Sequence, residues 1–175
     1  TSKNTREKGQ IILDKTGIET GSDLWNDNYS LAGNTFAIRK DSPTGEIVQE
    51  MTTDEKGHAE TPKEIANALE LGTYYVTETK ASNGFVNTFK AVKVELKYAN
   101  QTVALVTSNI KGQNQEITGE TTLIKEDKDT GDKTQGRAVF EGTEYTLFTA
   151  KDGKAVKWSE AFKPELVKGT KASDE

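Results

Sequence analysis

Residues 72–85, GTYYVTETKASNGF, begin as a β-strand and then place a carboxylate where such a strand buries its side chains. Tyr74, Val76 and Glu78 follow one another at every second position, and alternate residues of a strand share one face. If the two apolar side chains point into a core, Glu78 points there as well. Because an unpaired carboxylate is costly to bury, the sequence predicts partners for Glu78 inside the protein.

Short strand-like segments surround this stretch at roughly regular spacing, each bounded by Gly, Asn, Asp or Pro. They are residues 10–16, 35–41, 46–52, 73–80, 89–98 and 102–110. One helix is expected over residues 61–72, where Thr61 suits the N-cap and Pro62 the first helical position. Many short strands separated by turn signals predict an all-β, antiparallel sandwich or barrel.

An internal repeat divides the chain. GQIILDK at 9–15 matches GETTLIK at 119–125, and LAGNTFAIR at 31–39 matches FEGTEYTLF at 140–148. The offsets are 110 and 109 residues, so the sequence predicts two copies of one module. The predicted organisation is a linker at 1–8, a complete domain at 9–111, a short linker at 112–118, and the first half of a second domain at 119–175.

Three polar side chains of the first copy share one oddity. Lys15 is in phase with Ile11 and Leu13, and Asn109 is in phase with Leu105 on the last predicted strand. An amine, the acid of Glu78 and a carboxamide could therefore meet in one apolar interior. Taken singly, each also fits an ordinary strand end, with its polar tip reaching solvent or forming a turn.

The first copy resembles the collagen-adhesin B-type domain (CnaB, or SpaA-type) of Gram-positive surface adhesins and pilins. Three motifs carry the resemblance: the first strand from Gly9 to Lys15, the glutamate motif at 72–85, and a last strand ending in Asn109. Ser82 and Phe85 replace the proline and tyrosine of the glutamate motif. The resemblance implies an Ig-like, prealbumin-like antiparallel β-sandwich of the CnaB type.

The resemblance also implies an intramolecular isopeptide bond between Lys15 and Asn109, promoted by Glu78. An apolar environment lowers the pKa of a lysine and raises that of a glutamate, which suits a neutral amine nucleophile and a protonated acid. This reaction happens once per chain, so we expect no enzyme, no cofactor and no metal. Lys125 repeats the first-strand lysine in the second copy. Its implied partners would lie after Glu175, so Lys125 is expected to form no bond within this chain.

Composition excludes several other functions. The chain has 175 residues, a net charge of -5 and no cysteine, which argues against nucleic-acid binding, disulfides and thiol chemistry. Its single histidine, His58, lies in a polar segment and is interpreted as a solvated loop residue. Asp-rich residues 125–133 do not fit the register of a calcium loop. Apolar runs are too short to span a membrane.

The leading hypothesis is a structural stalk or spacer of an extracellular, cell-wall-anchored adhesin or pilus, anchored through a region outside these residues. Its partners would be neighbouring domains of the same polypeptide. The alternative is an adhesin domain that contacts a host matrix or cell-surface protein through loops such as 19–30, which carry Trp25. A third hypothesis, a transthyretin-like accessory domain of an enzyme, requires no Lys–Glu–Asn trio.

Overall fold

The computed structural model describes residues 5–119, 122–144, 148–151 and 154–157. The chain divides into two units, Thr1–Ile117 and Thr118–Glu175. Strands of the first unit are β1 (Lys8–Gly17), β2 (Thr35–Lys40), β3 (Ile47–Thr52), β4 (His58–Glu60), β5 (Leu69–Glu70), β6 (Gly72–Lys80), β7 (Phe85–Val86), β8 (Val92–Leu96) and β9 (Leu105–Glu116). The second unit contains β10 (Phe148–Lys151) and β11 (Lys154–Lys157).

The first unit is a two-sheet sandwich. One sheet has the order β4–β1–β9–β7, with β5 also paired to β1, and the other has the order β3–β2–β6–β8. Neighbouring strands are antiparallel except for β1 and β9, which run parallel from Lys8 opposite Leu105 to Gly17 opposite Asn114. The first and last strands of the unit therefore lie side by side. The predicted all-β sandwich is confirmed.

One apolar cluster fills the space between the two sheets. Side chains of β1, β2, β6 and β8 contribute to it: Ile11, Leu13, Phe36, Ile38, Tyr74, Val76, Val94 and Leu96. In β1, β6 and β8 these residues alternate with more exposed positions, as the sequence pattern predicts, whereas β2 also buries Ala37. Lys15 continues the inward row of β1 and Glu78 continues that of β6, so both polar side chains enter the space between the sheets.

Two predictions about backbone structure are wrong. The expected helix is absent from residues 61–72, where Asn67 and Ala68 donate backbone hydrogen bonds to Glu64 and close a single turn. Thr61 does not cap a helix; it exchanges hydrogen bonds with the backbone of Ile11 in β1. The expected linker at 112–118 begins as strand, because β9 continues to Glu116. The sandwich therefore extends beyond residue 111.

The second unit holds an antiparallel hairpin in which Phe148 pairs with Lys157 and Lys151 with Lys154. Residues 122–126, which include most of the segment that matches the first strand of the first copy, have no regular structure. Residues 120, 121, 145–147, 152, 153 and 158–175 lie outside the described part of the chain. The assignment of 119–175 as the first half of a second sandwich stays a prediction.

Candidate functional site

Lys15 is a fully buried amine. Its side chain is 1% exposed, and its Nζ atom lies 3.9 Å from Oε1 of Glu78 and 5.9 Å from the ring centroid of Phe89. Among the described residues, this Nζ atom has no hydrogen-bond partner. Burial lowers the pKa of Lys15 to about 8, although the charges of Glu78 and Glu116 oppose the shift. The amine is therefore much easier to deprotonate than that of an exposed lysine.

Glu78 lies opposite this amine on β6, and its side chain is 0% exposed. Its two carboxyl oxygens accept hydrogen bonds from Nδ2 of Asn114, at 2.8 and 2.9 Å. Burial raises the pKa of Glu78, while the Asn114 hydrogen bond and the charge of Lys15 work in the other direction. The structure thus answers why the strand at 72–80 points a carboxylate inward: an amine and a carboxamide meet it there.

The carboxamide at this site belongs to Asn114, whereas the sequence analysis expected Asn109. Asn109 is exposed and lies opposite Ile12 in the β1–β9 pair. Buried positions of β9 are Gly112, Asn114 and Glu116, so the inward face has the opposite phase to the one predicted. The structure brings Lys15 and Glu78 together and leaves Asn109 outside, so the expected meeting of Asn109 with these two side chains is wrong.

Asn114 is held at both ends of its side-chain amide. Its Oδ1 atom accepts a hydrogen bond of 3.2 Å from the backbone N–H of Thr88, while its Nδ2 atom donates to Glu78. Its backbone carbonyl accepts a hydrogen bond of 3.0 Å from the N–H of Ile18. The amide is 1% exposed. The carbonyl oxygen therefore faces a backbone donor, and the nitrogen faces a carboxyl group.

Gly112 and Phe89 shape the space around the amine. Gly112 is the register partner of Lys15, and a Cβ atom there would lie 2.5 Å from Cε2 of Phe89 and 3.3 Å from Cδ of Lys15. Phe89 also packs edge-on against Phe36, with centroids 5.1 Å apart. A glycine is thus required where the aromatic ring and the lysine stem converge. Sequence reasoning missed both residues.

The two departures from the glutamate motif have local partners. The backbone N–H of Ser82 donates a 2.9 Å hydrogen bond to Oδ1 of Asn34, which a proline could not do. The Ser82 hydroxyl donates to the carbonyl of Ser30. Phe85 packs edge-on against Tyr29, with centroids 6.0 Å apart. The partners of both residues therefore lie in the loop before β2.

Loop 19–30, the best candidate for ligand contact, is tied to the sandwich. Trp25 is half-buried and packs edge-on against Tyr29, with centroids 5.1 Å apart. The Tyr29 hydroxyl donates a 2.6 Å hydrogen bond to the carbonyl of Ile117. These contacts favour the packing role of Trp25 over a ligand-binding role.

His58 and Lys125, two other residues singled out from the sequence, have hydrogen-bond partners of their own. His58 belongs to β4 rather than to a loop, and its ring bonds to Asp14 at 2.8 Å and Glu60 at 3.4 Å. The hydrogen bond to Asp14 contributes most to raising the pKa of His58, and the one to Glu60 comes second. Lys125 is exposed, and its Nζ atom donates a 2.7 Å hydrogen bond to the backbone carbonyl of Glu126. The prediction that Lys125 stays unbonded within this chain remains a prediction.

The first unit is a prealbumin-like β-sandwich with a buried amine, acid and carboxamide between its sheets. The SpaA family of prealbumin-like fold domains matches residues 9–111, which is more than half of the chain. The chain therefore belongs to this family. Among the curated proteins, none matches the sequence.

Several solved structures resemble the chain. BcpA, the major pilin subunit of Bacillus cereus, is 27% identical with a TM-score of 0.41, over 61% of this chain and 29% of that one. The full-length major pilin SpaD from Corynebacterium diphtheriae is 25% identical with a TM-score of 0.42, over 66% and 32%. The Bacillus anthracis TIE protein is 24% identical with a TM-score of 0.43, over 62% and 18%. The chain spans less than half the length of the first structures that it matches.

A search for membrane-crossing helices within the described residues finds none of sufficient length and apolar character.

Proposed function

We propose that this chain is a self-crosslinking structural module of a bacterial surface protein or pilus, in which Lys15 and Asn114 form an isopeptide bond promoted by Glu78. The observation that carries the proposal is the buried trio: Oε1 of Glu78 lies 3.9 Å from the Lys15 amine and 2.8 Å from the Asn114 amide nitrogen. Membership of the SpaA family supports the assignment. The chain has no cysteine, so a disulfide cannot play this role.

Burial prepares the lysine as a nucleophile. With a pKa of about 8, roughly a tenth of the amine is neutral at pH 7, on the order of a few hundredfold more than for an ordinary lysine. A neutral amine attacks a carbonyl carbon, whereas an ammonium has no free electron pair. Proximity comes from folding itself, because the sandwich places both reactants beside one carboxyl group.

The carboxamide is activated at both of its ends. The Thr88 N–H donates to Oδ1 of Asn114, and such a donor stabilises the negative charge that develops on this oxygen during attack. Glu78 faces the amide nitrogen of Asn114 rather than its carbonyl oxygen. Glu78 is therefore positioned as a proton relay to the leaving group.

The bond changes balance without a co-reactant. Nζ of Lys15 forms a bond to Cγ of Asn114, and the bond from Cγ to Nδ2 breaks. Glu78 takes a proton from the attacking nitrogen and delivers one to the departing nitrogen, which leaves as ammonia. The products are a secondary amide, ammonia and a regenerated Glu78, so each chain reacts once.

Intact-mass measurement of the full chain tests the proposal. The wild type should be lighter than its sequence by one ammonia, and tandem mass spectrometry of a digest should give one peptide that joins Lys15 to Asn114. Lys15→Ala, Glu78→Ala and Asn114→Ala should restore the full mass, because each removes one participant. A wild-type chain at full mass would overturn the proposed bond.

Asn109→Ala is the matched control. It removes the same side chain from the exposed face of the same strand, so the chain should still lose ammonia. Full mass in Asn109→Ala together with ammonia loss in Asn114→Ala would reverse the assignment of the partner.

A stalk role requires that tension bypass most of the sandwich. Lys15 and Asn114 lie on adjacent parallel strands, so force that enters at the start of β1 and leaves at the end of β9 would pass through the bond. Pulling on single molecules of the wild type should give no unfolding step for the loop between these residues. Lys15→Ala should release about 100 residues, or roughly 340 Å of chain. An equal step in the wild type would refute the mechanical role.

A further inference from the structure

Glu116 is a second buried carboxylate, on the same face of β9 as Asn114 and 3% exposed. Its oxygens accept hydrogen bonds from the backbone N–H groups of Glu19, at 3.1 and 3.2 Å, and Thr20, at 2.9 Å. The Thr20 hydroxyl donates a further bond of 2.8 Å and the Gln115 side chain one of 3.3 Å. Its carboxylate therefore fastens the end of the last strand to the loop that follows the first strand.

The contact between Glu116 and residues 19–20 lies close to Asn114 along β9 and can therefore fix the position of Asn114. The ladder between β1 and β9 ends at the pair Gly17 and Asn114, and strand ends are where pairing frays. Beyond it, β9 continues beside the two-residue strand β7, with Glu116 opposite Phe85. A register shift of a single residue would turn Asn114 to the outer face. Glu116 fixes the strand two residues past Asn114, so that Asn114 lies between two secured points.

The two buried carboxyl groups near Lys15 have opposite environments. Burial works to raise the pKa of Glu116, but hydrogen bonds from Thr20 and the nearby backbone lower it on balance. The pKa of Glu78 is raised by burial. Glu116 therefore stays ionised and fully bonded, while Glu78 exchanges protons. Divergent environments of this kind assign different roles to neighbouring carboxyl groups.

We propose that Glu116 is a positioning residue for the isopeptide reaction, which clamps the end of β9 onto residues 19–20 and thereby holds Asn114 against Glu78 and Lys15. This inference rests on the proposed function. It extends the reacting trio by a residue that touches none of the bonds made or broken. A misplacement of about 1 Å at reacting groups slows a reaction by up to roughly a hundredfold, so the clamp should act on the rate.

The test is a time course of ammonia loss in freshly synthesised full-length chain, followed by intact mass while circular dichroism monitors folding. Glu116→Gln keeps one acceptor oxygen and should slow the loss of ammonia moderately. Glu116→Ala keeps none and should slow it by about 10- to 100-fold relative to the wild type. Thr20→Ala removes one donor and should slow the reaction less. Glu70→Gln is the control. Glu70 also holds β1, because it accepts a 2.6 Å hydrogen bond from Lys8, but it is exposed and makes no part of the contact between Glu116 and residues 19–20.

Each outcome supports or overturns the inference. Folded Glu116→Gln and Glu116→Ala chains that react at the wild-type rate, with only a lower melting temperature, would show that the clamp is purely structural and would overturn it. If Glu116→Ala fails to fold, the Gln and Thr20→Ala variants decide by the same criterion. A wild type that never loses ammonia would overturn the proposed bond as well, so the two failures are distinguishable.

Discussion

Lys15→Met combined with Glu78→Gln separates a bonded from an unbonded domain by the sign of its effect on stability. Met fills a volume similar to that of the lysine stem and carries no charge, and it cannot form an amide. Glu78→Gln leaves no unpaired buried charge and keeps one acceptor oxygen for Nδ2 of Asn114. The free energy of unfolding therefore reports on the missing bond with little disturbance of packing.

The magnitude follows from the topology. A bond from Lys15 to Asn114 closes a loop of about 100 residues, which restricts the unfolded chain and stabilises the fold by roughly 4–5 kcal/mol. Its loss should lower Tm by about 15–20 °C. Without a bond, the double variant would replace a buried charged pair, whose Nζ and Oε1 atoms lie 3.9 Å apart, by neutral side chains of similar volume. Such a replacement is typically neutral or stabilising by about 1–4 kcal/mol.

Urea unfolding followed by the fluorescence of Trp25, in a Trp158→Phe background, measures this difference within the first unit. Lys125→Met provides the control, because it makes the same change at the exposed lysine of the second unit. We expect a large loss of stability for Lys15→Met combined with Glu78→Gln and almost none for Lys125→Met. A double variant that is as stable as the wild type, or more stable, would refute the covalent bond.

Three further predictions concern the surroundings of the site. Gly112→Ala places a methyl group 2.5 Å from the Phe89 ring and 3.3 Å from the Lys15 stem, so ammonia loss should slow or stop by intact mass; an unchanged rate would contradict the close packing. Because the pKa of Lys15 is about 8, the rate of ammonia loss should fall about tenfold for each pH unit below that value and level off above it; a flat rate profile would contradict a neutral nucleophile. Asp14→Asn replaces the carboxylate that contributes most to the raised pKa of His58 by a neutral amide, so the imidazole should titrate at lower pH by NMR. Since a raised histidine pKa stabilises the fold at acidic pH, this variant should also lose stability there, and an unshifted titration would assign the effect to Glu60.

Period-two alternation predicted the sandwich and two members of the site, since β1 and β6 are central strands with clear inner faces. Lys15 and Glu78 continue the apolar rows of those strands, so their inward direction could be predicted from the sequence. The expected helix after Thr61 failed for a tertiary reason. The capping pattern involves only neighbouring residues, whereas the backbone and hydroxyl of Thr61 form hydrogen bonds with Ile11 of β1. A contact with a strand so distant in sequence cannot be predicted from a local pattern.

Asn114 was missed because the phase of β9 is ambiguous where the sequence is most apolar. Leu105 and Val106 are both half-buried at the start of this strand, so alternation there does not identify the inner face. The buried face becomes distinct only after Ile110, at glycine and polar positions that resemble a linker. The repeat contains the missing signal: Asn114 stands five residues before Gly119, as Asn4 stands five residues before Gly9. An Asn that recurs at the same distance before the first-strand glycine of each copy draws attention to Asn114 rather than Asn109 without any knowledge of packing.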